Sequence, residues 1–344
     1  MENRSYAHSI IKMRLTSFFA RISMYEYWPM WVFYMPIFPY YLYLAMKYRS
    51  WAFFSAANPG IYLGGFFGES KEEIMKLIPS NYLPQTVFID PNLPEEKLKL
   101  ETFTFPLIVK PDVGERGTGV MKIESMDEYL AYFSKQTEIF LVQEFVTYPI
   151  ELGVLYSRLP NETKGKVSSI TGKEFLTVIG DGTSSVLQLM GKSVRARFQI
   201  RRFQQERSES CLNQVLKNGE TLLLEPIGNH CRGTRFINRN DLINDQLTQV
   251  FDKICLPIDG FYFGRFDLKV SSEEDLMTGS NIKIMELNGA SSEPGHVYDE
   301  DFKLFQAYKS ITWHWSRLGE ISKINRARGV KPAKLREVWR EWKI

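Results

Sequence analysis

"GRFDLKV" (264–270) and "IMELNG" (284–289) decide how this chain folds and what it can hold. Asp267 closes one strand pattern. Glu286 and Asn288 stand two apart on another, so their side chains share one face of a sheet. The neighbouring residues "FYFG" (261–264) and "IKIM" (282–285) read as buried strand, and a buried carboxylate needs a cation or a partner. Two carboxylates and an amide oxygen form a hard oxygen set suited to Mg²⁺, an ion that also binds phosphates.

Upstream, "FPLIVKPDVGERGTGV" (105–120) ends a buried strand on Lys110 and follows it with a loop carrying Gly114, Gly117 and Gly119. Such a loop lets backbone N–H groups approach phosphate oxygens while the lysine adds a compact positive charge. A purely structural turn accounts for the glycines equally well. Strand patterns recur at "QTVFID", "IFLVQEFV", "ELGVLYSR", "VSSITGKEFLTVIG" and "TLLLEPIG". Helical patterns occupy residues 69–78, 126–136, 184–205 and 240–255. "SWAFFSAANPGIYLGGFFGES" (50–70) reads as a short strand, a turn at Asn58-Pro59-Gly60 and a glycine-rich loop. Strands mixed with helices without regular alternation predict an α+β chain with antiparallel sheets.

Together these motifs resemble the ATP-grasp superfamily, nearest in layout to the D-alanine:D-alanine ligases, from about Gly68 to Tyr298. The resemblance implies two α+β lobes clasping ATP, with Mg²⁺ or Mn²⁺. It puts Lys71 of "GESKEEIMKL" and Lys110 on the nucleotide, with Gly117 in the phosphate loop. The adenine hinge falls on Gln143, Glu144, Phe145 and Val146, and the ribose on Glu151. Asp267, Glu286 and Asn288 become the metal ligands, and Arg265 stabilises charge on an acyl phosphate and a tetrahedral intermediate. "VIGDGTSSVLQLM" (178–190) and "IGNHCRGT" (227–234) look like the branch holding cyanophycin synthetase and bifunctional glutathione synthetases, which makes Asn229 and Arg232 candidate phosphate or substrate contacts. Lys173 is either a further phosphate ligand or a surface lysine.

Two departures from the family leave the substrates unnamed. The region before Lys71 is short and membrane-like, and "GASSEPGHVYD" (289–299) replaces the ligases' Pro-Gly turn with a longer polar loop. Ser291, Ser292, Glu293 and His296 are candidate acceptor contacts, with His296 equally readable as a loop histidine without a role. The implied reaction is ATP-dependent joining of a small carboxylate to a small amine through an acyl phosphate. An ATP-dependent kinase on the same fold and a non-catalytic nucleotide-binding scaffold at a membrane are the alternatives. No Ser/His/Asp or Cys/His grouping stands out.

The implied organisation is residues 1–50 as a basic and aromatic segment, 51–70 as a reduced pre-ATP-grasp region, 71–150 and 151–308 as the two lobes, and 309–344 as a basic helical tail. The 344 residues are 44% hydrophobic and 24% charged, enough for a large core, and carry a net charge of +3. That charge is uneven. Residues 1–50 carry a surplus of four positive charges and 323–344 a surplus of six, around an acidic middle. Basic ends beside an apolar aromatic run suit an anionic membrane surface better than nucleic acid, although two solvated tails would give the same count.

The three cysteines fit neither a disulfide framework nor a zinc site. Residues 7–24 form a basic amphipathic pattern. "YWPMWVFYMPIFPYYLYLAM" (27–46) is long enough to span a bilayer, but Pro36 and Pro39 interrupt it and aromatic residues run through it. It reads as an anchor in one leaflet of the cytoplasmic face, or as an apolar segment buried in the protein or in a homodimer.

Overall fold

The computed structural model describes residues 22–93, 100, 102–114 and 118–342; the amphipathic pattern of 7–24 lies almost wholly outside them. The strands are β1 (Thr86–Ile89), β2 (Leu107–Pro111), β3 (Met121–Ile123), β4 (Phe140–Glu144), β5 (Ile150–Ser157), β6 (Lys166–Glu174), β7 (Thr177–Ile179), β8 (Thr221–Leu223), β9 (Arg235–Asn238), β10 (Phe263–Val270) and β11 (Ile282–Asn288). Twelve α-helices of four residues or more accompany them among the described residues. The α+β expectation is met. Contacts divide the chain into a larger unit (37–172, 238–297 and 305–344) and a smaller one (1–36, 173–237 and 298–304).

In the larger unit, β1-β4-β2-β3 form one antiparallel sheet. Its apolar face buries Ile89, Leu107, Val109, Phe140 and Val142 with Tyr129 and Tyr132 of the helix Met126–Phe133. Ser125 starts that helix by accepting the Glu128 N–H, an N-cap that satisfies one of the free donors of the first turn.

A second antiparallel set runs β11-β10-β5-β6. Leu152, Val154, Tyr156, Phe266, Leu268 and Val270 alternate onto one face, where Leu247, Val250, Phe251 and Ile254 of the helix Asp245–Cys255 cover them. Period-two alternation sends Glu151, Gly153, Arg265, Asp267 and Lys269 to the opposite face. The core on one side thus fixes the polar set on the other.

A third core joins the helix Phe38–Lys47 to the long helix Leu304–Ala327 through Leu44, Tyr48, Phe53, Leu318 and Ile321. Residues 51–57 are not the expected strand. Phe53–Ala56 is a 3-10 turn, and the carbonyls of Ala56 and Ala57 accept from Asn325 Nδ2 at 2.9 and 3.0 Å. A helix side chain therefore satisfies the backbone that a neighbouring strand would otherwise have paired. The turn at Asn58 is as expected. Asn58 is fully buried; it donates to the Gly64 and Phe263 carbonyls and accepts the N–H groups of Tyr262 and Phe263, fastening the glycine-rich loop to the start of β10.

In the smaller unit, β7 pairs with β8, and the expected helix over 184–205 is broken into Val186–Lys192, Val194–Arg197 and Ile200–Glu206. Ser193 causes the first break. It ends one helix and caps the next by accepting the Ala196 N–H.

Tyr27–Met46 is not one helix. It consists of the end of a 3-10 turn, the short helix Met30–Tyr34, a 3-10 turn at Met35–Ile37 and the helix Phe38–Lys47. No helix among the described residues is long and apolar enough to cross a membrane. Part of the run is core, since Phe33, Ile37 and Leu44 are buried, while Met30, Trp31, Met35, Phe38, Tyr43 and Met46 are exposed.

Candidate active site

The polar face of the second sheet has a defined register. Asp267 on β10 stands directly opposite Glu286 on β11, and Arg265 opposite Asn288. Like charges facing each other across strands are destabilising unless something lies between or beside them. Asp267 is buried, and its Oδ2 accepts from Arg265 Nη2 at 3.0 Å and from Asn288 Nδ2 at 3.0 Å. Burial opposes the charge on Arg265, but Asp267, Glu286 and Glu293 outweigh it and hold the guanidinium charged.

Gly153 on β5 completes this patch. It faces Asp267 in register, and a Cβ there would lie 3.2 Å from Arg265 Cδ and 3.3 Å from Asp267 Oδ1. Glycine in the middle of a strand marks such a close approach, and "ELGVLYS" carried that signal unread.

Lys110 reaches the same region from the first sheet. It is buried at the end of β2 and donates to the Met285 carbonyl on β11 at 3.0 Å, with Gln143 Oε1 at 3.4 Å. Burial lowers its pKa to about 8; Glu286 and Asp267 pull upward and the nearby Lys71 downward. Lys71 opens the helix Lys71–Leu77, which Ser70 caps, and its Nζ donates to the carbonyls of Asp112 and Gly114 at 2.9 Å each. Both lysines thus rest on neutral carbonyl oxygens, Lys110 within reach of the acidic pair and Lys71 close enough to act on Lys110. Gly117 lies outside the described residues.

Residues 145–149 link β4 to β5, so of the expected hinge Phe145 and Val146 lie on the connection between the two sheets while Gln143 and Glu144 end β4. Gln143 is buried on β4 and donates to Thr86 Oγ1, and the Glu144 N–H is held by the Gln85 carbonyl. Lys269, which sequence reasoning passed over, organises the link. It donates to the Val146 carbonyl at 2.9 Å, stands 3.9 Å from buried Glu151 and lies over the Phe145 ring. Its signal was the i, i+2, i+4 series Arg265, Asp267, Lys269 on one strand face.

The loop after β11 packs on the glycine-rich loop, where Ala290 and Ser291 donate to the carbonyls of Gly64 and Gly65. Gly65 has φ of +75°, and a Cβ there would sit 2.7 Å from Gly289 Cα. Ser292 Oγ accepts from the Arg265 N–H and donates to the Asn288 carbonyl, so its hydroxyl already serves the loop. His296 is only 3% exposed, with its ring nitrogens on Ser169 Oγ at 2.6 Å and Ser310 Oγ at 3.4 Å. Ser291 is exposed, and Glu293 is close enough to act on Arg265.

Asn229 and Arg232 belong to the smaller unit. Asn229 caps a 3-10 turn by accepting the Cys231 N–H, and Arg232 lies 3.6 Å from buried Glu225, which also binds Arg202 at 2.8 Å. Lys173 belongs to the same unit.

Among the described residues no group of three His, Cys, Asp or Glu side chains could hold a metal. The oxygen set at β10 and β11 is smaller, two carboxylates and an amide. It fits a hard divalent cation shared with another oxygen-rich ligand, because the register brings the carboxylates face to face and Asn288, donating through Nδ2, keeps its Oδ1 for a ligand.

No protein-family model and no curated protein sequence matches the chain. Solved structures do. A D-Ala:D-Ser ligase from Enterococcus faecalis is similar over 74% of this chain and 61% of its own length, at 14% identity and a TM-score of 0.42. A bifunctional glutathione synthetase from Pasteurella multocida is similar over 72% of this chain and 36% of its own, at 13% and 0.38. A D-alanine–D-alanine ligase from Bacillus anthracis, complexed with ATP, is similar over 75% of this chain and 67% of its own, at 12% and 0.41. The chain spans under two thirds of the length of the first two.

Proposed function

We propose that this chain is an ATP-dependent carboxylate–amine ligase of the ATP-grasp kind, acting on small molecules in the cytoplasm. The observation that carries the reading is the in-register Asp267–Glu286 pair with Arg265 and Asn288 beside it and Lys110 reaching over from the first sheet. On this reading 71–150 and 151–308 are the lobes that clasp the nucleotide.

Lys71 and Lys110 hold phosphate oxygens, exchanging their present carbonyl partners for anionic ones. The hinge at Gln143 to Val146 and the Glu151 carboxylate, braced by Lys269, receive the adenine and ribose. Asp267, Glu286 and Asn288 hold Mg²⁺ or Mn²⁺, which when bound supplies charge neutralisation on the transferring phosphoryl group. The substrate carboxylate takes the γ-phosphoryl group and ADP leaves. The amine then forms a bond to the carbonyl carbon, phosphate departs with the C–O electron pair, and the amine proton is lost. Arg265, held charged, offsets the negative charge that develops on the carbonyl oxygen. Glu293 and Ser291 are the acceptor contacts this reading favours, with Ser292 and His296 supporting the loop; Asn229 and Arg232 are proposed further phosphate or substrate contacts.

Incubating the purified full chain with ATP, Mg²⁺ and panels of carboxylates and amines tests the reading. ADP and phosphate accompanied by a new amide support it. ADP with a stable phosphorylated product would establish a kinase instead, and tight ATP binding without turnover across the panel would establish a scaffold.

A further inference from the structure

The helix Phe38–Lys47 in the larger unit is apolar on both sides. Leu44, Ala45 and the following Tyr48 face the core, as a helix against a sheet and a second helix should. Its other side carries Phe38, Tyr43 and Met46, exposed by 52, 49 and 71%, and Trp51 beyond it is 54% exposed. A helix hydrophobic all round is normally buried all round, and this one is covered on one side. Phe38 stacks on Tyr41, and Tyr41 donates to the Trp51 carbonyl, so these residues form a connected surface.

Along the chain the charge around it has one sign, and in space Glu320, close enough to act on Tyr48, is paired with Arg317 at 3.5 Å. No acidic residue occurs between Glu26 and Glu69, whereas Lys47 ends the helix, Arg49 follows it, and both are exposed. Lys47 Nζ lies over the rings of Tyr43 and Tyr48, its stem along aromatic surface and its charge at the rim.

The helix Leu335–Trp342 is anchored in the same core through Val338. Its neighbours on the apolar edge, Leu335 and Trp339, are 58 and 55% exposed. Arg336 and Arg340 border that edge. The two acidic residues of this helix are occupied locally: Glu337 accepts the Lys334 N–H, and Glu341 binds the Tyr62 hydroxyl and Arg340. Lys331, Lys334 and Arg336 are exposed and have no carboxylate partner among the described residues.

We propose that these two helices dock the larger unit on a lipid surface with anionic headgroups, lying in the interface without crossing it. Aliphatic and aromatic side chains enter the boundary between headgroups and acyl chains, while Lys47, Arg49, Lys331, Lys334 and Arg336 meet the phosphates. Tyrosine and tryptophan suit that depth because each presents an apolar body and a polar tip. An apolar face with a cationic rim, whose nearby carboxylates Glu320, Glu337 and Glu341 are already engaged, complements such a surface better than it complements a second copy of itself, whose rim carries the same sign.

Flotation of the full-length chain with vesicles tests this, using phosphatidylcholine alone and phosphatidylcholine mixed with phosphatidylglycerol. The chain should float with the anionic vesicles at low salt, bind phosphatidylcholine at least tenfold more weakly, and be partly released at high salt as the cationic rim is screened. Met46→Glu should weaken partition at least tenfold with an unchanged unfolding midpoint, and the milder pair Tyr43→Gln with Met46→Gln reads the same face should the charged variant not fold. Absence of binding to anionic vesicles, or equal binding by the variants, would overturn the proposal. So would a wild-type dimer that Met46→Glu converts to monomer, which would mean that a second copy covers this face.

Discussion

Two groups of buried charge in this molecule are built on opposite plans. In the smaller unit each buried carboxylate has its own cations. Glu26, nearly inaccessible, accepts from Arg195 at 2.8 Å and from His230 at 3.1 Å, and Glu225 accepts from Arg202 and faces Arg232. In the larger unit Asp267 is set directly against Glu286, and two lysines close enough to repel each other rest on backbone carbonyls. The first plan neutralises itself and needs nothing further. In the second only Asp267 has a cation, Arg265 at 3.0 Å; Glu286 and the two lysines form no ion pair among the described residues, and on the proposed reading a ligand that brings a cation and anionic oxygens completes them. Buried charge with a partner is a structural statement; buried charge arranged by sign is a functional one.

The largest expected contrast is in turnover. Glu286→Ala or Asp267→Asn should lower ligation on the order of 10³-fold. Glu286→Ala should leave the urea midpoint unchanged or slightly raised, because the cross-strand repulsion is gone, whereas Asp267→Asn should lower it, because Arg265 and Asn288 lose the carboxylate they bond. A variant that keeps its rate breaks the functional half of the comparison. Glu26→Ala should do the reverse. Among the described residues, removing the shared anion leaves Arg195 with only the Glu300 carboxylate and His230 without a carboxylate partner, and should cost about 2 kcal/mol by urea denaturation. A cost below about 1 kcal/mol would mean that this cluster is not structural.

Acidity sharpens the comparison further. Lys110 must be protonated to hold phosphate, and its pKa in the free protein is lowered to about 8. Then kcat/KM for ATP should fall roughly tenfold per pH unit above that value, and Lys110→Met should remove this limb along with most activity. The stability effect of Lys110 has the opposite sign to that of a paired lysine: the cost of burying its charge is fully present below about 8 and is relieved as pH rises toward 10.5. His230 supplies the smallest effect. Burial disfavours its charge, but Cys231 and Glu26 raise its pKa above 6.5 overall. Its contribution should be present in full below 6.5 and fade as pH rises through the raised value. Comparing urea midpoints of the wild type and His230→Gln across that range checks the sign.

The sequence made the functional half of this contrast readable and hid the structural half. Asp267, Glu286 and Asn288 stand on two strands whose alternation is visible residue by residue, so their shared face could be read directly. Glu26 and Arg195 are 169 positions apart, and no local pattern announces such a pair. Lys269 and Gly153 were legible in principle, one as the third polar residue on the Arg265 face and the other as a glycine inside a strand. Residues 51–57 misled because aromatic and small apolar residues suit a strand and a buried turn alike; Asn325, far along the chain, decides between them. The aromatic run was ambiguous for a comparable reason. Its prolines showed that it breaks, but which side chains turn inward depends on Leu318, Ile321 and the Tyr48 ring seated over Gly319.

Binding of ATP measured calorimetrically with and without Mg²⁺ tests the central claim most directly. The separated-charge plan predicts that the full-length protein binds ATP at least tenfold more tightly with Mg²⁺ than without it, and that Glu286→Ala abolishes the difference while retaining its fold. Equal affinity with and without Mg²⁺, or a Mg²⁺ effect that survives in Glu286→Ala, would contradict it.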